Sequence, residues 1–150
     1  MPIKAPNLCV IGLPLLLMSA NASYGHPPGP QNTANPARAG ATLSVGEVRD
    51  LLVGQKEPVY IYDANERDSY LRGHVPGARW LQTNAVTAQD LPRAKDAKLI
   101  FYCYNPICGA SEAAAERARA LGYRNVWQMP EGIEGWRAAN MPTVAGENAK

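Results

Sequence analysis

Cysteine is sparse in this chain. Three occur among 150 residues, at positions 9, 103 and 108. A small secreted scaffold stapled by disulfides carries four or more, which excludes that class. Only two histidines accompany them, and no Cys and His cluster supplies the remaining ligands of a metal site. No metal and no cofactor is expected. Charge of either sign is modest: 15 Lys and Arg against 13 Asp and Glu leave a formal net charge of +2. Nucleic-acid binding demands a clearly basic face, which this balance does not suggest. The apolar stretch at residues 8–18 is about half as long as a helix needs to cross a bilayer. The length fits one domain with a leader and a tail.

Residues 1–22 read as a secretory signal peptide. Lys4 is the only charge, the apolar stretch follows, and Ala20-Asn21-Ala22 offers the small-x-small pattern of a cleavage site. Cleavage implies a periplasmic or secreted protein with no stable membrane insertion. It also removes Cys9, leaving Cys103 and Cys108 five positions apart. Such a pair forms a local disulfide, half a metal site or a reactive pair. Residues 23–41 are rich in Pro and Gly without periodicity and read as a flexible linker. The folded domain is expected over 42–142, with a polar tail at 143–150.

Within the domain, strand patterns alternate with helical ones. Ser44 is a natural N-cap for a helix at 45–52, with Glu47 as its capping-box partner. Residues 59–63, 79–81, 99–102 and 125–129 read as strands, and 66–71, 112–121 and a segment after Gly132 as helices. This order implies an α/β fold with a parallel sheet covered on both faces. Ligands of such sheets bind outside the carboxyl ends of the strands. Asp63 and Cys103 both stand at such ends.

The central stretch is Phe101-Tyr102-Cys103-Tyr104-Asn105-Pro106-Ile107-Cys108-Gly109-Ala110-Ser111. It reads as a strand, a tight loop and a helix start, with Ser111 as N-cap. Cys103 then faces a helix N-terminus across a ring of backbone amides, where negative charge is stabilised and cysteine pKa values fall from about 8.5 toward 3.5–7.5. Cys103 is the expected nucleophile. Cys108, nearer the helix, is its accessory or resolving partner, or the first nucleophile itself. Tyr104, Asn105, Pro106, Ile107, Gly109, Ala110 and Ser111 form the expected substrate-binding loop. Asp63 and His74 are read as structural supports.

The order of these signals resembles the rhodanese (sulfurtransferase) family over about residues 42–142. Val59-Tyr60-Ile61-Tyr62-Asp63 looks like its strand ending in Asp. Gly73-His74-Val75-Pro76-Gly77-Ala78 looks like its Gly-His-Ile-Pro-Gly-Ala signature, and Phe101-Tyr102-Cys103 like the strand that delivers its catalytic cysteine. Gly122-Tyr123 through Val126, then Gly132 to Trp136, looks like its closing region. The resemblance implies a three-layer fold around a mostly parallel five-stranded sheet. It also implies transfer of sulfane sulfur through a persulfide on Cys103 to a thiol or cyanide acceptor. Small sulfur donors and acceptors are the implied partners, with a periplasmic redox protein as a further one. Two positions depart from the family pattern. No Lys or Arg lies between Cys103 and Ser111, where the family loop carries an Arg before its Ser, and Asn65 replaces a common Arg. A phosphatase of the related Cys-x5-Arg type is excluded because Gly109 stands where its Arg is required. A dithiol–disulfide redox protein using Cys103 and Cys108, and a catalytically silent binding module, are the alternatives.

Overall fold

The computed structural model describes residues 41–54 and 56–147. The expected signal peptide, nearly all of the expected linker and the last three residues of the expected tail lie outside the described residues. In chain order the elements are α1 (Val45–Gly54), β1 (Val59–Asp63), α2 (Arg67–Arg72), β2 (Arg79–Trp80), a 3-10 turn at Thr83–Ala85, β3 (Lys98–Tyr102), α3 (Ala110–Ala120), β4 (Val126–Gln128) and α4 (Gly132–Ala138). The strands form a wholly parallel sheet in the order β2-β1-β3-β4.

Four strands are seen among the described residues where five were expected. Thr42 forms one parallel bridge beside Gln128, at the free edge of β4. Two residues later the chain is committed to α1. The Ser44 backbone N–H and hydroxyl donate to Glu47 Oε2 at 2.8 and 2.7 Å, which is the expected capping box. Among the described residues the pairing beside β4 is this single bridge, and the helix start that follows bounds it on its C-terminal side.

The alternation of β3 decides what covers each face. Leu99, Phe101 and Cys103 point into one core, with Tyr62, Leu81, Tyr123 and the α3 alanines Ala114, Ala115 and Ala118. Ile100 and Tyr102 point into the other, with Val48, Val75, Met129, Ile133 and Trp136. Both faces are covered, so β3 is apolar throughout apart from the Tyr102 hydroxyl and the Lys98 end. Each fully buried large side chain here contributes about 1.5–3 kcal/mol. The small α3 residues let that helix lie close against β3. The helix ends in a Schellman motif, with Tyr123 N–H on Ala118 O and Gly122 N–H on Arg119 O. Gly122 takes the left-handed φ of +91° that the motif requires.

From β1 the chain moves outward to β2, and from β3 it moves outward the other way to β4. The direction of winding reverses between β1 and β3, and such a switch point opens a crevice at the carboxyl ends of the two strands. Cys103 follows β3 directly at that point.

Candidate active site

The Cys103 backbone is set by both neighbours of β3. On one side, Ala64 N–H bonds to Tyr102 O at 2.9 Å and carries the β1 pairing one step past the strand. On the other, the start of α4 grips the next two carbonyls: Ile133 N–H donates to Cys103 O (2.9 Å) and Glu134 N–H to Tyr104 O (3.0 Å). Gly132, with φ of +63°, lets the two backbones come this close.

The loop beyond Cys103 is also held from within. Cys108 N–H donates to Asn105 O (3.1 Å), closing a turn. Ile107 N–H donates to the Asn105 side-chain oxygen (3.1 Å), and Asn105 Nδ2 donates to Glu134 Oε2 (3.0 Å). Of the expected ring of amides around Cys103, those of Ile107 and Cys108 are directed at Asn105 instead. Asn105 is a strut between loop and α4. Tyr104 and Ile107 stand out at the surface, 42% and 92% exposed, and Pro106 and Gly109 are exposed too.

Cys103 and Cys108 are joined as a disulfide with a Cα–Cα distance of 6.3 Å. Cys103 is 2% exposed, whereas Cys108 is half-buried. The Cys103 sulfur lies 3.0 Å from Cys108 O and 3.5 Å from Ser111 Oγ. The Ser111 position is a second correction. α3 begins at Ala110 with Gly109 as its N-cap residue, so Ser111 is inside the first turn and makes no cap. Its buried hydroxyl faces the sulfur, where it can donate to a thiolate. In the reduced protein, Ser111→Ala is expected to slow alkylation of Cys103 at neutral pH about 3–10-fold, the worth of one hydrogen bond of about 1 kcal/mol. An unchanged rate would show that this hydroxyl does not support the thiolate.

Beneath the loop lies a buried polar chain. The Tyr102 hydroxyl donates to Asp63 Oδ2 at 2.7 Å and accepts from Val75 N–H at 3.1 Å, while Asn65 N–H donates to Asp63 Oδ1 at 2.8 Å. The chain ties β1, β3 and the Gly73–Ala78 crossing into one unit. Burial pushes the Asp63 carboxyl above its ordinary value, against the hydrogen bonds from Tyr102 and Asn65. Burial likewise pushes the Tyr102 phenol up, and the Asp63 charge adds to the rise. Asp63 sits in a brace under the strand end. His74 is fully buried, stacked on the Tyr70 ring at 3.8 Å with Nδ1 2.9 Å from Tyr70 O. Its backbone pairs both ways with Val144, so part of the expected tail returns to this crossing.

A separate cleft of about 590 Å³ lies at the opposite pole of the sheet, lined among others by Leu43, Leu51, Val59, Lys98 and Trp127. Val59 and Lys98 are the first residues of β1 and β3, so this cleft is remote from the chemistry at Cys103. Sequence reasoning gave no role to Tyr102, Gly132 or Glu134. A hydroxyl within an otherwise apolar strand was the available signal for Tyr102. The reach of Glu134 to Asn105 depends on a contact across 29 positions and leaves no local trace.

Comparison with known proteins follows the same outline. The model of the rhodanese-like domain matches residues 44–139. The thiosulfate sulfurtransferase GlpE of Pseudoalteromonas translucida is 30% identical over 97 residues, covering 65% of this chain and 89% of that protein. The uncharacterized protein YibN of Escherichia coli K12 is 30% identical over 111 residues, covering 70% and 73%. Among solved structures, the BH2092 protein of Bacillus halodurans superposes with a TM-score of 0.65 at 24% identity, covering 70% of this chain and 77% of that one. A thiosulfate sulfurtransferase from Pseudomonas aeruginosa superposes with a TM-score of 0.63 at 24% identity, covering 73% of this chain and 20% of that one. Below 25% identity these two structures bear on the fold alone.

Proposed function

Since this chain belongs to the rhodanese-like domain family, we propose that it is a sulfurtransferase that carries sulfane sulfur as a persulfide on Cys103. The observation that supports this most is the placement of that sulfur. It stands at the switch point of the sheet, ahead of the α3 N-terminus, with the Ser111 hydroxyl at 3.5 Å. The GlpE relative is a thiosulfate sulfurtransferase by name, which agrees with a donor of that class.

The chemistry proceeds in two steps. The Cys103 thiolate attacks the outer sulfur of thiosulfate. The sulfur–sulfur bond breaks, sulfite leaves with the electron pair, and Cys103 holds a persulfide. A thiolate or cyanide then attacks the outer sulfur of the persulfide, forming a new persulfide or thiocyanate and returning the Cys103 thiolate. With no cationic side chain between Cys103 and Ser111, the loop lacks the bidentate guanidinium contact that best holds an oxyanion. A persulfide donor such as glutathione persulfide avoids that need. Reading residues 1–22 as a cleaved signal peptide, we propose that this chemistry takes place in the periplasm or outside the cell.

The test is intact-mass measurement on reduced protein, with reductant removed, after exposure to thiosulfate or to glutathione persulfide. Cys108→Ser should gain about 32 Da, one sulfur, and Cys103→Ser should gain nothing. An adduct that survives in Cys103→Ser and disappears in Cys108→Ser would assign the sulfur to Cys108. The disulfide favours a second reading, a simple dithiol–disulfide exchanger. That reading requires a loss of about 2 Da on oxidation of the wild type and no sulfur adduct on any form.

A further inference from the structure

We infer that Cys108 discharges the sulfur carried by Cys103 as hydrosulfide, so that the protein acts as a sulfane-sulfur reductase and the Cys103–Cys108 disulfide is its oxidised resting product. This inference rests on the persulfide reading above and goes beyond it, because the sulfur leaves reduced rather than transferred.

Three features of the loop carry it. The first is reach. The structure joins the Cys108 sulfur to the Cys103 sulfur itself, so the loop delivers Cys108 to the inner sulfur of a Cys103 persulfide. Attack on the outer sulfur would only move the persulfide along the loop, whereas attack on the inner one closes a disulfide. The Cα–Cα distance of 6.3 Å falls within the ordinary range of about 4.4–6.8 Å, so closure needs no movement of β3.

The second feature is preorganisation. Cys108 is presented by contacts that do not depend on the disulfide. These are Cys108 N–H on Asn105 O, Ile107 N–H on the Asn105 side chain, Asn105 Nδ2 on Glu134, and the α4 amides on the Cys103 and Tyr104 carbonyls. With these contacts retained on reduction, the loop is expected to keep Cys108 beside Cys103. It also stands one residue before the Gly109 N-cap of α3, an eleven-residue helix, whose positive end favours its thiolate.

The third feature is access. Cys103 is 2% exposed and bonded to half-buried Cys108. An outside acceptor has to reach a nearly buried sulfur, whereas the internal thiol is already beside it.

The Cys108 thiolate attacks the Cys103 Sγ of the persulfide. The bond from Sγ to the outer sulfur breaks, and that sulfur leaves with the electron pair as hydrosulfide, taking the proton of the persulfide. The sulfane sulfur is reduced by two electrons and the two cysteines are oxidised to the disulfide. A dithiol reductant then attacks the more accessible Cys108 sulfur, passes through a mixed disulfide and restores both thiols as its own disulfide.

The experiment is a single turnover without reductant. Reduced wild type, Cys108→Ser and Cys108→Ala are mixed with whichever donor loads Cys108→Ser, and hydrosulfide and intact mass are followed together. The wild type should release about one equivalent of hydrosulfide and end about 2 Da lighter than the reduced chain. The Cys108 variants should hold the sulfur adduct and release at least about tenfold less. If they hold the adduct and the wild type holds it too without hydrosulfide, this inference is overturned and the persulfide reading stands. If neither Cys108 variant gains an adduct from either donor, both fall together.

Discussion

Gly132→Ala should destabilise the fold by about 3–5 kcal/mol and disable the active loop with it. Gly132 has φ of +63°, a conformation that costs an L-residue about 1–2 kcal/mol. The larger part is steric. A Cβ at this position would stand 2.5 Å from Cys103 O and from the carbonyl carbon and oxygen of Tyr104. All three are backbone atoms, so no side-chain rotation relieves the clash. α4 must move away, and the bonds from Ile133 and Glu134 to those carbonyls are lost, at about 1 kcal/mol each. Against a typical total of about 5–15 kcal/mol, this is a large fraction. Denaturant titration would read it as a lower midpoint with an unchanged slope. A midpoint within about 1 kcal/mol of wild type would mean that α4 does not hold the Cys103 carbonyl as described.

Tyr102→Phe should cost about 2–4 kcal/mol at pH 7, although only one oxygen is removed. That oxygen serves two buried groups, accepting from Val75 N–H and donating to Asp63 Oδ2. Both are stranded by the change, and one of them is a carboxylate, whose lost partner is the more costly. A pH dependence separates this brace from simple packing. Burial raises the Asp63 carboxyl above its ordinary value of 3.8, and the Tyr102 hydroxyl is the strongest contact opposing the rise. Removing the hydroxyl therefore raises the folded-state value further. A raised carboxyl contributes its stability fully below its unfolded value and loses it as the pH rises through the folded value. The deficit of the variant should accordingly be smaller near pH 4 and grow toward pH 7, by about 1 kcal/mol. Urea unfolding of both proteins at the two pH values measures it. A deficit independent of pH would place the loss in packing rather than in the Asp63 contact.

Much of the scaffold was legible because it rests on local or periodic signals. Ser44 and Glu47 lie three positions apart and close their box within a single turn. The apolar run at 99–102 is a strand buried on both faces, and Gly122 ends α3 in the left-handed conformation that glycine adopts most readily. Ser111 was legible only in part. Ser is a good cap in isolation, but here the chain turns helical at Ala110, one residue earlier. The hydroxyl then faces Cys103. Asn105 followed the same course: its type announces a turn, but its bond to Glu134 depends on where α4 docks.

What the sequence determined by itself is which chemistry is available and roughly where. Two thiols five positions apart follow a buried strand and precede a helix, in a loop without a cation. Strand alternation and the capping and turn residues suffice for that, since each acts over a few neighbouring positions. Tertiary structure alone decided how the thiols are presented. It tied Asn105 to Glu134, set Ser111 against the sulfur, and anchored the Cys103 carbonyl to α4. The anchoring of the loop depends on contacts between segments about 30 positions apart, Cys103 with Ile133 and Asn105 with Glu134. Local propensity does not encode such contacts, because they arise only when packing of the two cores brings α4 against the end of β3.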